Sequence, residues 1–244
     1  MIAATRIVLG SALVVCSALT ALARAQTSAQ TTASPANVPS SKQAEVSLQF
    51  DRTGLSVPHF VLRVREDGSG TYQADQVEIP ATGNAMRGEA AQHVDRPFNL
   101  TRATVAKIFK SARSLDYFNV DCASKAKNIA DTGKKVLSYT GPDGSGSCTY
   151  NYSENKGVVT VAETLLAIAY TMDEGRRLEF LHRYDRLGLD AEMTSLTGEV
   201  EAGRAMELGT IAPTLAQIAD DTAVIQRVRL KAAKMLEQIS AENH

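Results

Sequence analysis

Tryptophan is absent from this 244-residue chain, and cysteine and histidine occur only three and four times. Without tryptophan the chain lacks a favoured side chain for stacking on sugar rings, which argues against carbohydrate binding. The histidines stand at positions 59, 93, 182 and 244, and none has a metal-ligand spacing from another. We therefore predict neither a metal site nor a cofactor.

Recognisable catalytic motifs are also missing. No Gly-x-Ser-x-Gly elbow occurs between a strand and a helix. The glycine-rich stretch 141–147 lacks the Gly-Lys-Ser/Thr ending of a phosphate loop and leads into a strand. The neighbouring acids Asp220 and Asp221 suit a turn between helices, whereas the paired acids of glycoside hydrolases come from separate elements. These absences favour a non-catalytic protein.

His182 is the one histidine whose neighbours suit acid–base chemistry. Glu179 and Asp185 lie three residues to either side of it in a segment with a helical pattern. An exported hydrolase whose site includes His182 and Asp185 is therefore one hypothesis. The alternative is a solvated helix face on which charged residues pair at i, i+3 and i, i+4 spacing.

Residues 1–25 have the three parts of a secretory signal peptide. Arg6 precedes an apolar run from 7 to 22, and Ala23-Arg24-Ala25 supplies a cleavage site. The run is shorter than the roughly 20 residues that a membrane-spanning helix needs, which disfavours the alternative of an uncleaved anchor. We expect export to the periplasm or the extracellular space, with no stable membrane insertion after cleavage.

The processed chain divides by composition into three parts. Residues 26–43 are rich in Ser, Thr, Ala, Gln and Pro, which is typical of a disordered linker. We expect an α+β domain at 44–187 and a C-terminal helical segment at 188–241. Loss of residues 1–25 leaves 24 basic against 27 acidic residues, a net charge of −3. That balance does not favour nucleic acid or anionic lipid as a partner.

Two cysteines remain after Cys16 leaves with the signal peptide. They are Cys122 and Cys148, 26 residues apart. An even number of cysteines in an exported chain predicts a disulfide between them. The alternatives are a buried pair of free thiols and a redox dithiol, although the Cys-x-x-Cys spacing of the latter is absent.

Hydrophobic periodicity predicts an antiparallel sheet. Residues 46–50, 60–64 and 71–77 alternate apolar and polar side chains, and Asp67-Gly68 is a hairpin signal. The polar stretch 78–96 reads as a long loop. Thr101 is positioned to cap a helix whose apolar face is formed by Val105, Ile108, Phe109 and Ala112.

The second half of the domain adds two strands and a long helix. Residues 135–140 and 147–153 are strand-like, with tyrosines 139, 150 and 152 forming either an aromatic patch or part of the core. The helix at 158–186 can be kinked or divided at Gly175. Its predicted buried stripe contains Val161, Leu165, Ile168, Met172, Leu178, Leu181 and Tyr184. The whole is an α+β fold with about five strands in the order β-β-β-α-β-β-α.

The chain after residue 191 has a helical pattern and should form two or three helices. Part of this segment has the order of features found in a helical hairpin. Pro213 is near the start of the first helix, Asp221 is at the turn, and Arg229 with Ala232 and other small residues lies in the second helix. Residues 208–240 thus resemble one HEAT-type helical hairpin. The resemblance implies a protein contact surface and no chemistry. Because one unit cannot bury its own apolar face, it should pack on the preceding helices or on the sheet.

The sequence as a whole favours an exported, non-catalytic protein that binds another macromolecule. The C-terminal helices are the predicted contact surface for a protein partner. The exported hydrolase built around His182 is the alternative function. A purely structural role in the cell envelope is a third hypothesis.

Overall fold

A computed structural model describes residues 43–77 and 92–242. The predicted signal peptide, nearly all of the predicted linker and residues 78–91 lie outside this part of the chain. The strands are β1 (Glu45–Asp51), β2 (His59–Arg65), β3 (Ser69–Gln76), β4 (Gln92–Asn99), β5 (Lys134–Gly141) and β6 (Gly144–Tyr150). The α-helices are α1 (Arg102–Ser114), α2 (Lys156–Tyr184), α3 (Leu189–Glu201), α4 (Ala212–Asp220) and α5 (Gln226–Glu242). Short 3-10 helices cover Asp116–Phe118 and Leu208–Ile211.

The strands form one antiparallel sheet in the order β4-β3-β2-β1-β5-β6. The predicted α+β class and the C-terminal helices are confirmed, but the sheet has six strands where about five were expected. The prediction of a loop up to residue 96 is wrong for residues 92–96, which belong to β4. This strand is at the sheet edge. Its side chains show little alternation between buried and exposed positions, and Phe98 is the one buried residue of the strand. Pro97 fits an edge strand because it has no N–H to donate to a neighbour.

Alternate side chains of the sheet face the helices and form a core. Val46, Leu48 and Phe50 of β1 are buried, and they lie opposite Val64, Leu62 and Phe60 of β2. Intermediate and exposed residues occupy the other face. Burying one face of the sheet in this way fixes the strand register, because a slip by one residue would expose the whole apolar set.

Helix α1 begins as the sequence predicts. The Thr101 hydroxyl accepts a hydrogen bond from the backbone N–H of Thr104, and the predicted apolar face of the helix is buried. The Thr101 hydroxyl also donates to Oε1 of Glu207 at 2.6 Å, and its backbone N–H donates to Oε2 at 2.9 Å. Glu207 precedes the second 3-10 helix, so these bonds tie the C-terminal segment to the start of α1.

Helix α2 runs unbroken through Gly175 for 29 residues. Its N-terminal part, up to Met172, packs with the strands in one core, and Leu178 belongs to a second core with α3, α4 and α5. The predicted stripe holds as far as Leu178, and Leu181 is partly buried. It is wrong for Tyr184, which is the last residue of α2 and is 67% exposed.

The C-terminal segment forms three helices, within the predicted number. Pro213 stands in the first turn of α4, where its missing N–H costs no intrahelical bond. Helices α4 and α5 contact each other, and Nε of Arg229 donates to the carbonyl oxygen of Ala219 at 3.2 Å. The resemblance of this hairpin to HEAT-type repeats stays a prediction. In the described ranges, no helix combines the length and apolar character needed to cross a membrane.

The three tyrosines of the second hairpin do not form one patch. Tyr139 and Tyr150 are buried in the sheet core. Strand β6 ends at Tyr150, three residues before the predicted end, and Tyr152 in the following bend is 48% exposed. The sequence left open whether these tyrosines form an aromatic patch or part of the core. The core interpretation is correct for Tyr139 and Tyr150.

Candidate functional site

The structure places His182 next to an acid other than the predicted one. Nε2 of His182 lies 2.8 Å from Oδ2 of Asp221, which follows the last residue of α4. Asp185 instead ends helix α2, and its Oδ1 accepts a hydrogen bond from the backbone N–H of Gly188 at 3.2 Å. The fold therefore brings His182 together with Asp221 and leaves Asp185 in a helix cap.

Asp221 is held as a carboxylate by its surroundings. A hydrogen bond from the backbone N–H of Ala223, followed by the contact with His182, lowers the pKa of Asp221. Nη2 of Arg186 lies 3.5 Å from the same carboxylate. Within residues 43–77 and 92–242, no serine, threonine or cysteine side chain hydrogen-bonds the His182 ring. The arrangement orients the imidazole of His182 against a carboxylate.

Cys122 and Cys148 lie within disulfide-bonding distance, with Cα atoms 6.1 Å apart. Cys148 is on β6, and Cys122 is in the segment that runs along this edge strand. The same segment is fixed by a hydrogen bond from the Asn119 side chain to the carbonyl oxygen of Ser145 at 3.0 Å. This pairing of a loop with β6 shields the strand edge.

Large apolar side chains are exposed where α2 ends. Phe180 is 50% exposed, Tyr184 is 67% exposed and Leu187, in the turn that follows, is 87% exposed. The rings of Phe180 and Tyr184 are one helical turn apart with centroids 5.0 Å from each other. We name these three residues the α2-end patch. Clustered exposed apolar residues of this kind mark interaction surfaces, whereas single ones carry no such meaning.

Arg183 is a basic neighbour of the α2-end patch. The guanidinium carbon of Arg183 lies 5.9 Å from the centre of the Tyr184 ring, a cation–π distance. Among the residues that the structure describes, no carboxylate lies within ion-pair distance of Arg183. Arg186, at the edge of the patch, is half exposed and contacts Asp221 only at 3.5 Å. The patch is therefore apolar, with two arginines and the exposed Asp185 beside it.

Sequence reasoning identified His182 and missed the α2-end patch, although both belong to the same helix end. The helical spacing of Phe180 and Tyr184, one turn apart, separates them from the buried Leu178 and was the available signal. The contact of His182 with Asp221 had no local signal, because 39 residues separate them in the chain.

Comparison with protein-family models gives no match, and no curated protein is significantly similar to this chain.

Proposed function

We propose that this protein is an exported, non-catalytic binding protein whose α2-end patch contacts another protein. The observation that carries this proposal is the exposure of Phe180, Tyr184 and Leu187 at one end of a helix. The signal-peptide pattern of residues 1–25 and the disulfide distance between Cys122 and Cys148 support export.

The aromatic character of the patch suits protein recognition. Phenylalanine, tyrosine and arginine are enriched in protein–protein contacts, and tyrosine combines a large apolar surface with a hydrogen-bonding hydroxyl. Helix α2 is also anchored in two cores. A rigid helix end presents these side chains with little loss of conformational entropy on binding.

The charge beside the patch indicates the chemistry of the partner. Arg183 has no acidic partner among the described residues and lies against the Tyr184 ring. A partner segment that combines apolar side chains with Asp or Glu would fill the patch and pair this arginine. We therefore assign an acidic, amphipathic protein segment as the occupant.

Affinity capture from the native extract tests this proposal. The bait is the exported, processed protein, compared with a variant in which Phe180, Tyr184 and Leu187 are all replaced by serine. Leu230→Ser is the matched control, because Leu230 is 61% exposed on α5. His182→Ala tests the hydrolase alternative in the same experiment.

The expected result is a protein partner that is lost with the triple variant and retained by Leu230→Ser and His182→Ala. Circular dichroism should show that the triple variant and Leu230→Ser are folded, because exposed side chains contribute little to stability; the same measurement checks His182→Ala, whose side chain is 19% exposed. Equal recovery by the wild type and the triple variant would contradict a role for the patch. Loss of a small molecule only in His182→Ala would favour the hydrolase.

A further inference from the structure

A cleft of about 1100 Å³ lies between the β1–β2 connection and helices α2 and α3. Its walls combine the rings of Phe60 and Tyr170 with the aliphatic side chains of Leu55, Val57 and Leu166. Small-molecule sites are concave, largely apolar and supplied with a few polar groups. The cleft has such an apolar wall, which faces a set of charged side chains on α2 and α3, and it shares no residue with the α2-end patch.

Most carboxylates of the cleft already have hydrogen-bond donors from the protein. Asp173, Glu192 and Glu199 each accept from one or more side chains. The donors are Gln76 to Asp173 at 3.0 Å, Arg177 to Glu192 at 2.8 Å and Arg204 to Glu199 at 2.6 Å. These groups are satisfied without a ligand.

Glu174 differs from these three carboxylates, and the remaining acid of the cleft, Glu163, is exposed to solvent. Its side chain is on α2, lines the cleft and is only 6% exposed. Oε2 of Glu174 is shielded from solvent, and no donor within residues 43–77 and 92–242 reaches it. Its polar neighbour across the cleft is Glu192 of α3, itself 8% exposed. A carboxyl group whose buried Oε2 has no donor, and which lies beside a second carboxyl, requires either a proton or a cation at that oxygen.

The groups around Glu174 determine whether it binds a proton in the free protein. The Tyr170 hydroxyl hydrogen-bonds the Glu174 side chain, Asp173 and Arg177 also face it from α2, and Glu192 faces it from α3. Burial, and then the hydrogen bond with Glu192, raise the pKa of Glu174 to about 8. The free protein therefore holds a proton there at neutral pH.

A cation that replaces this proton must donate hydrogen bonds and tolerate apolar walls. The described residues offer no group of three or more His, Cys, Asp or Glu side chains that would hold a metal ion. A primary ammonium group has three N–H donors, enough for Glu174 and Glu192 together. Aromatic rings such as Tyr170 also attract cations. We propose that the cleft binds an amphiphilic primary amine, with its ammonium group on Glu174 and Glu192 and its apolar chain on the aliphatic and aromatic wall.

Two sources supply this chemistry, a free alkylamine and the lysine side chain of a peptide. Isothermal titration calorimetry of the exported, processed protein with n-octylammonium and with Nα-acetyl-lysine amide distinguishes them. Octanol is the uncharged control for the apolar chain. Titration in two buffers of different ionisation enthalpy counts the protons released, and close to one is expected at pH 7 because the ammonium displaces the proton of Glu174.

The variants Glu174→Gln and Glu237→Gln complete the test. Glu237 is exposed on α5, outside the cleft. Octylammonium or the lysine amide should bind the wild type at least about tenfold more tightly than octanol. Glu174→Gln should abolish this difference in affinity, because it removes a charge-assisted hydrogen bond. Glu237→Gln should bind like the wild type. Three results with the wild type would each overturn the proposal: equal binding of octylammonium and octanol, binding without proton release, or no binding of either amine. These results do not depend on whether the variant folds.

Discussion

Gly175 of helix α2 lies directly against Ile211, so that a methyl group added to this glycine would overlap Cγ2 of Ile211. The contact occurs between Met172 and Leu178, where α2 passes from the sheet core to the C-terminal core. The glycine therefore does not break the helix. It allows the 3-10 helix that contains Ile211 to approach the backbone of α2.

Replacing Gly175 with alanine should destabilise the protein. Alanine favours a helix over glycine by about 1 kcal/mol, but overpacking against Ile211 typically costs about 1 to 3 kcal/mol. Gly198→Ala is the matched control, because Gly198 lies in α3 with no atom within 4 Å of the added methyl. It should stabilise the protein by about 0.5 to 1 kcal/mol. Urea denaturation measures both effects, and stabilisation by both variants would show that the close contact is absent.

Local sequence patterns predicted the parts of the fold that are stabilised locally. Apolar and polar side chains alternate clearly along strands β1, β2 and β3, and Thr101 caps α1 as its position predicts. Strand β4 was missed because Arg96, on its helix-facing side, is charged. Its guanidinium makes two hydrogen bonds with Glu179 of α2, at 2.9 and 2.6 Å. An apolar alternation cannot reveal a strand whose inward side chain is satisfied by a distant helix.

The candidate sites depend on contacts between residues far apart in the chain. His182 was identified from Asp185, its neighbour in sequence, yet its partner is Asp221. The pairing of Glu174 with Glu192 joins two helices, and neither residue belongs to a motif. Such contacts follow from how α2, α3 and α4 pack, which helical periodicity alone does not specify.

The ion pair between Arg96 and Glu179 should stabilise the protein in a pH-dependent way. The hydrogen bonds from Arg96 lower the pKa of Glu179 below its ordinary 4.5. Because the folded pKa is the lower one, this stabilisation is present above about pH 4.5 and is lost as the pH falls through the folded pKa. Arg96→Met should cost about 1 kcal/mol at pH 7, a value that allows for solvent screening of a pair about one-third exposed.

Urea denaturation of Arg96→Met and the wild type at pH 7 and pH 3 measures this effect. The difference in the free energy of unfolding between Arg96→Met and the wild type should be smaller at pH 3 than at pH 7. Arg204→Met is the control, because its pair with Glu199 lies at the surface and Arg204 is 66% exposed. A difference for Arg96→Met that is the same at both pH values would rule out this ion pair as its cause.

Glu174 should give the opposite dependence on pH. The pKa of Glu174 is about 8 in the folded protein and near 4.5 in the unfolded chain. Its contribution to stability is therefore complete below about pH 4.5 and is lost as the pH rises through 8. Glu174→Gln cannot ionise, so it should be more stable than the wild type at pH 8 by on the order of 4 kcal/mol.

Thermal or urea unfolding of Glu174→Gln between pH 4 and pH 8 measures that difference. The variant and the wild type should converge near pH 4, where both side chains are neutral. The same measurement on Glu237→Gln should show no such trend. A Glu174→Gln variant that is less stable at pH 8 than the wild type would contradict the raised pKa of Glu174 in the folded protein.

Cys122 and Cys148 should form a disulfide in the exported protein. Mass spectrometry of the non-reduced protein should find no free thiol. A loop of 26 residues gives about 3 to 4 kcal/mol of stabilisation by chain-entropy arithmetic. The variant in which both cysteines are replaced by alanine should lose an amount of this order in urea denaturation. Two free thiols, or an unchanged stability in the variant, would contradict the disulfide.

Site-specific photo-cross-linking tests the central claim, that the α2-end patch binds another protein. A photoreactive benzoylphenylalanine replaces Tyr184, and the matched control carries it in place of Leu230, which is similarly exposed on α5. With the native extract, position 184 should cross-link to a protein segment that combines apolar and acidic residues, and Phe180→Ser should abolish the product. Position 230 should give no such product. Equal products from both positions, or a product at position 184 that contains only lipid or a second copy of this chain, would contradict the proposed function.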